Sequence, residues 1–330
     1  MGVLLSIQNL TVQFETDEGL LTAVNALDLD VERGEVLGLV GESGSGKSVT
    51  AQSILRLVPS PPGRIASGSI HLEDTDILSL PIADLRKIRG SRVGMIFQEP
   101  MTALSPLHKI GHQLVETLRL HHDMAKPDAV KESIAWLERV GIPDAEQRMR
   151  VYPYQLSGGM RQRVMIAMVL MLKPDLVIAD EPTTALDVTI QAQIFDLMRE
   201  MKEENTAVLL ITHDMGVIWE NCDRVAVMYA SEIVESAAIE PLFRDPQHPY
   251  TQALMSSIPS LDHPDQRLKT IPGNVPSALE YPAGCHFKDR CPHASERCGK
   301  EHPPLYDGGQ GLSRCFISDP VNPLRSETHA

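Results

Sequence analysis

Gly41-Glu42-Ser43-Gly44-Ser45-Gly46-Lys47-Ser48 decides how this 330-residue chain is read. It is a complete G-x-x-x-x-G-K-[ST] phosphate loop. Val36-Leu37-Gly38-Leu39-Val40 before it is an uninterrupted apolar run, as for a strand buried on both faces of a parallel sheet. Ser48 to Leu57 after it reads as a helix. The glycines Gly41, Gly44 and Gly46 let the backbone turn its N–H groups around a polyphosphate, and the helix N-terminus adds partial positive charge. Lys47 is the cation expected at the β- and γ-phosphates, and Ser48 is the expected Mg²⁺ ligand. A chance Gly/Ser-rich turn would lack the strand before it and the helix after it. The expectation is a nucleoside triphosphate bound at residues 41–48.

The bulk composition agrees with a soluble globular protein: 42% of residues are hydrophobic and 22% charged. A net charge of −14 and a pI near 5.3 argue against a general grip on nucleic-acid backbones. No stretch approaches the roughly 18 consecutive apolar residues of a membrane span. The N-terminal Met1-Gly2-Val3-Leu4-Leu5-Ser6 lacks the charged start and long apolar run of a signal peptide, so a reducing cytosol is expected. Of five cysteines, Cys222 stands alone and is expected to be a buried thiol. Cys285, Cys291, Cys298 and Cys315 fall within 31 residues, which in a reducing compartment points to metal before disulfides.

Working outward, residues 4–14 read as a strand ending at Phe14, and Val24 to Val31 as a half-exposed one. Phe14 is either a core aromatic or a face on which adenine stacks. Pro59 to Gly63 is a break, Ser69 to Leu72 a short strand, Ile82 to Arg89 a basic helix, and Arg92 to Phe97 an apolar strand ending at Gln98. A glutamine there stands where ligands bind in open α/β sheets, able to meet Mg²⁺ or orient water. Ile110, Leu114 and Leu118, then Val130, Ile134 and Leu137, mark helices broken at Lys126-Pro127-Asp128, which together form a helical lobe. In Leu156-Ser157-Gly158-Gly159-Met160-Arg161-Gln162, Ser157 is the expected N-cap of a helix to about Leu172. Gly158 and Gly159 behind that cap would let a second anion approach the open N–H groups.

Leu176-Val177-Ile178-Ala179-Asp180-Glu181-Pro182 reads as a buried strand ending in two carboxylates. Burying unpaired charge costs several kcal/mol, so acids following four apolar residues point to chemistry. Asp180 matches the acid that completes a Mg²⁺ shell, and Glu181 stands where an attacking water would give up its proton. Thr184-Ala185-Leu186-Asp187 leads into a helix to about Lys202, and Val208 to Thr212 is a strand with His213 after it. That histidine is either inert or a hydrogen-bond donor to a γ-phosphate. Val225 to Tyr229 reads as the last strand.

Taken in order, Gly41 to Ser48, Gln98, Leu156 to Gln162, Asp180-Glu181, Thr184 to Asp187 and His213 resemble the nucleotide-binding subunits of ABC transporters over residues 4 to 236. The resemblance implies an α/β, RecA-like P-loop NTPase fold with a mainly parallel sheet and an antiparallel β subdomain. It also implies a helical subdomain at about residues 100–170, inside a cassette spanning residues 1–236. Two cassettes would face head to tail, with ATP between Lys47 and Ser48 of one and Ser157 to Gly159 of the other. Gln98 would sense Mg²⁺ and water, Asp180 would hold the metal, Glu181 would polarise the water and His213 would steady the γ-phosphate. Asp187 would couple the two sites, and Phe14 would stack on adenine.

Residues 237–330 form a Pro- and Gly-rich extension with helix periodicity only over Tyr250 to Ile258. Gln247-His248-Pro249-Tyr250-Thr251, Gly284-Cys285-His286-Phe287 and Arg290-Cys291-Pro292 resemble the C-terminal extension of dipeptide/oligopeptide importer ATPases. So do Leu39 to Ser48 and Asp180 to Gln191. One departure is Ala230-Ser231-Glu232, where that family usually shows glycine after the Tyr-Ala pair. The resemblance implies a [4Fe–4S] cluster on Cys285, Cys291, Cys298 and Cys315. Zinc is the alternative, with His286, His293 and His302 nearby, and unligated thiols are the third.

The implied function is ATP hydrolysis that energises a membrane importer of dipeptides or oligopeptides. Its implied partners are a second, distinct ATPase and two permeases on the cytoplasmic face of the membrane, served indirectly by an extracytoplasmic binding protein. Nucleic acid is not an expected partner. The alternatives are a related nickel or antimicrobial-peptide transporter, and a soluble ABC ATPase outside transport.

Overall fold

A computed structural model gives the structure and describes residues 2–99, 103–184, 186–257 and 270–321. Twelve strands are described: β1 Val3–Thr16, β2 Gly19–Glu32, β3 Val36–Val40, β4 Gly63–Leu72, β5 Thr75–Asp76, β6 Val93–Ile96, β7 Leu176–Asp180, β8 Ala207–Ile211, β9 Arg224–Tyr229, β10 Glu232–Ala238, β11 Tyr306–Asp307 and β12 Gly311–Ser313. By contact density the chain divides into two compact units.

The first unit comprises residues 1–4, 31–36 and 79–212. Its sheet is parallel: β6 pairs with β7 from Val93↔Leu176 to Ile96↔Ala179, and β7 with β8 from Leu176↔Ala207 to Asp180↔Ile211. Every residue of β6, β7 and β8 is buried, which explains their continuous apolar runs. Helices Ile110–His121 and Lys126–Arg139 form the helical lobe. The run is broken just ahead of Lys126-Pro127-Asp128: Pro127 lies in the first turn of the second helix, where its missing N–H has no intrahelical partner to lose. The buried stripe of that helix is Ala129, Ser133, Trp136 and Leu137, and Val130 and Ile134 sit at its half-buried edge. Leu137 lies on the buried face as expected, with Trp136 beside it. Helix Gly158–Leu170 stops two residues short of the expected end. Ala185 and residues 100–102, where the helical subdomain was expected to begin, lie outside the described residues.

The second unit comprises residues 5–30, 37–78 and 213–330. It carries most of an antiparallel sheet ordered β2-β1-β4-β5, whose strands are longer than expected: β1 and β2 run 14 residues each. Here β3 pairs in parallel with β9, and β9 forms a hairpin with β10. Val225–Tyr229 is therefore not the last strand. The extension adds β12 to the edge of β10 and β11 to β12, both antiparallel. These strands hold only two and three residues, too few for an alternating pattern to register.

The β9–β10 turn shows what the departure at Ala230-Ser231 costs. Both residues take left-handed backbone, with φ of 44° and 73°, in a two-residue hairpin loop where glycine is the easier choice. Such strain costs of order 1–2 kcal/mol per residue. Neighbours hold it in place: the Ser231 N–H donates to Ser45 O at 3.1 Å, and the Asn25 N–H donates to Ser231 O at 2.9 Å.

Candidate functional site

The phosphate loop lies between β3 and helix Lys47–Ile54. Gly41, Gly44 and Gly46 have φ of 152°, 80° and 106°, values that side chains resist. Gly46 is the N-cap of that helix and brings no side chain of its own to the first N–H groups. Lys47 is buried, and its ammonium donates to Gly41 O at 2.8 Å, Glu42 O at 2.9 Å and Ser45 Oγ at 3.3 Å. The cation is thereby drawn in over the loop's own carbonyls. Ser43 is exposed and Ser48 half-buried at the helix start. Phe14 pairs with Gly63 in the β1–β4 ladder, and a Cβ on Gly63 would come within 2.8 Å of its ring. Its ring therefore covers a glycine and is only half-buried. His213 is exposed, two residues beyond the end of β8.

In the other unit the two acids part company at the tip of β7. Asp180 is buried, 3% exposed, while Glu181 turns out of the strand with φ of 47°. The Glu181 N–H still donates to Ile211 O at 2.8 Å. Its Oε2 accepts from Gln98 Nε2 at 3.1 Å and lies 3.2 Å from the Thr184 hydroxyl. Gln98 and Glu181, 83 residues apart, are thus brought together. Ser157 caps its helix by accepting from Met160 N at 3.3 Å, and Asp187 caps Val188–Glu203 by accepting from Ile190 N at 3.1 Å. A Cβ on Gly158 would meet nothing within 4 Å, so the chain's own packing does not demand glycine there. Sequence reasoning missed Gln162: it is buried, 1% exposed, and its amide donates to Pro182 O, tying helix Gly158–Leu170 to the loop after β7.

The four extension cysteines line one cavity of about 60 Å³, shared with Phe287, His293 and Phe316. Cys285 N donates to Cys298 O at 2.8 Å, which closes the loop between them. Burial pushes the Cys285 thiol up to about 11 and Cys315 up to about 12. A sulfur-only donor set with aromatic walls fits a thiolate-ligated metal or cluster. Of the three histidines named for zinc, only His293 shares the cavity. His302 Nε2 lies 2.8 Å and His286 Nδ1 3.7 Å from Glu232 Oε2, and Asn25 donates to Oε1 of the same carboxylate at 2.6 Å. Burial works against the charge, yet these imidazoles hold the Glu232 carboxyl below its ordinary range. Cys222 is buried, as expected.

Sequence comparison supplies the context. The model described as "ABC transporter" matches residues 24–184, and "Oligopeptide/dipeptide transporter, C-terminal region" matches residues 234–298. The oligopeptide transport ATP-binding protein AppD of Bacillus subtilis is 49% identical over 96% of this chain and 97% of its own length. OppD of Haemophilus influenzae is 49% identical over 96% and 98%, and OppD of Escherichia coli 49% over 95% and 93%. Among solved structures, the ATP-binding cassette MJ0796, a dimer in a post-hydrolysis state bound to ADP and Pi, superposes with a TM-score of 0.65. It shares 26% identity and covers 71% of this chain and 98% of its own.

Proposed function

The chain belongs to the ATP-binding proteins of ABC transporters, in the oligopeptide/dipeptide branch, and from that membership we propose that it hydrolyses ATP to energise a membrane importer of dipeptides and oligopeptides. The observation that carries this reading is 49% identity along 96% of the chain, extension included. Under it residues 1–236 are the cassette and 237–330 the extension. The phosphate loop from Gly41 to Ser48 binds the polyphosphate, with Phe14 at the adenine. Glu181, steadied by Gln98, accepts the proton of the attacking water, and His213 steadies the γ-phosphate. Ser157, Gly158 and Gly159 meet the nucleotide of a partner cassette, and Asp187 couples the two. Mg²⁺ bound with ATP would supply neutralisation of phosphate charge there. Ser48, Gln98 and Asp180 offer the oxygen donors that this ion takes.

Partners under this reading are two permeases and a second, distinct ATPase at the cytoplasmic face, with an extracytoplasmic binding protein acting through the permeases. No helix among the described residues is long and apolar enough to cross a membrane, so attachment would be peripheral. A strain lacking this protein is expected to take up a labelled tripeptide at background rate and nickel normally. Unchanged peptide uptake with lost nickel uptake would move the cargo to the metal.

Cys285, Cys291, Cys298 and Cys315 are proposed to hold a [4Fe–4S] cluster, supported by their shared cavity. Such a cluster would supply a staple for a segment short of its own core, and a one-electron centre. Anaerobically purified protein is expected to be brown and to lose its colour in Cys291→Ser. Colourless protein with one bound zinc overturns the cluster.

A further inference from the structure

Glu42 is the second residue of the phosphate loop, and three groups meet on it. Its carbonyl accepts from Lys47 Nζ at 2.9 Å, its N–H donates to the Tyr250 hydroxyl at 3.0 Å, and its carboxylate accepts from Arg290 Nη1 at 3.0 Å. Two of the three come from the extension, 208 and 248 residues away. We infer that Arg290 and Tyr250 are positioning residues for the phosphate loop, so that the extension sets the affinity of the chain for nucleoside triphosphate. The inference rests on the ATPase reading and deepens it.

The clamp is rigid. The Arg290 side chain is 5% exposed, and its other donors reach Pro272 O at 2.9 Å, Ile271 O at 3.3 Å and the Tyr229 hydroxyl at 3.3 Å. Tyr229, Tyr250 and Phe287 pack as a triad with ring centroids 4.6, 5.2 and 5.5 Å apart. Tyr250 in turn lies in the first turn of helix Pro249–Ser256, capped by buried His248, whose Nδ1 accepts from Tyr250 N at 3.0 Å. Burial holds that imidazole neutral, as an acceptor requires.

The electrostatic reason follows from the ligand. A carboxylate within a polyphosphate loop repels the charge it must admit, and it also competes for Lys47. A buried guanidinium on Glu42 offsets that repulsion and gives the carboxylate a partner of its own. Tyr250 holds the backbone of the same residue, and so the carbonyl on which Lys47 rests. A purely architectural role would instead change stability and leave nucleotide affinity in proportion to the folded fraction.

The test uses the full chain, a fluorescent ATP analogue and steady-state hydrolysis. In Arg290→Ala, Kd for the analogue and KM for ATP are expected to rise about tenfold while kcat at saturating ATP holds. Arg290→Lys should recover most of the loss, since charge is retained, and Tyr250→Phe should raise Kd about threefold. In a Glu42→Gln background, where there is no carboxylate to neutralise, removing Arg290 should change Kd less than twofold. Affinity within twofold of wild type in both Arg290→Ala and Tyr250→Phe overturns the inference, as does an undiminished Arg290→Ala effect in that background. Should Arg290→Ala not fold, Arg290→Lys and Tyr250→Phe decide alone. Wild-type protein that binds no analogue would sink the ATPase reading itself, a different result from normal binding with inert variants.

Discussion

Replacing Glu181 by glutamine is expected to leave ATP binding intact while cutting hydrolysis about 10²–10⁴-fold, the usual worth of a general base. That loss corresponds to roughly 2.7–5.4 kcal/mol of barrier. The physical case rests on placement. Glu181 leaves the strand in left-handed backbone and keeps its N–H on Ile211 O, so its side chain is presented by a fixed peptide. Gln98 and Thr184 surround Oε2, and glutamine preserves the size and most of those contacts. What disappears is the negative charge that takes up a proton. Affinity for a fluorescent ATP analogue should stay within twofold of wild type in the variant because the phosphate loop is untouched. Turnover within tenfold of wild type would remove Glu181 from this role.

Gly41→Ala should do comparable damage by a different route. An added Cβ would stand 2.0 Å from Met228 O, a backbone atom at the end of β9 that cannot swing aside, and φ there is 152°. Unfavourable backbone alone costs on the order of 1–3 kcal/mol, and the clash adds to it. Thermal stability should fall, and nucleotide affinity should drop beyond a hundredfold, because Gly41 also supplies the carbonyl that holds Lys47. Gly158→Ala is the contrasting case. Nothing lies within 4 Å of the new methyl group, so the folded chain should be as stable as wild type. If a partner's nucleotide approaches that helix start, hydrolysis falls while the melting temperature does not. Full hydrolysis in Gly158→Ala would count against the head-to-tail arrangement.

Some of this protein could be read directly from spacing. Apolar runs such as Val36–Val40 and residues 176–179 announce strands covered on both faces, since only burial makes such runs tolerable. The phosphate loop and the caps at Ser157 and Asp187 depend on neighbours within a few residues, so their chemistry is local. Where tertiary packing competed with local pattern, the pattern misled. Trp136 lies on the buried face of helix Lys126–Arg139, where Val130 and Ile134 are only half-buried.

What order along the chain determined was the family and the local form of the phosphate loop, because the glycine-rich turn, the strand before it and the helix after it sit in one short, self-sufficient motif. What only the tertiary structure decided was which distant groups share a partner. Arg290 meets Glu42 across 248 residues, Gln162 reaches Pro182, and His286 and His302 turn from the cysteines to Glu232. The physical reason is that such contacts follow from chain reversal and burial. A charged or amide side chain leaves no periodic trace of the partner that satisfies it, and buried groups of this kind must be satisfied by something. The extension's hold on the phosphate loop was therefore invisible until the fold brought its two ends together.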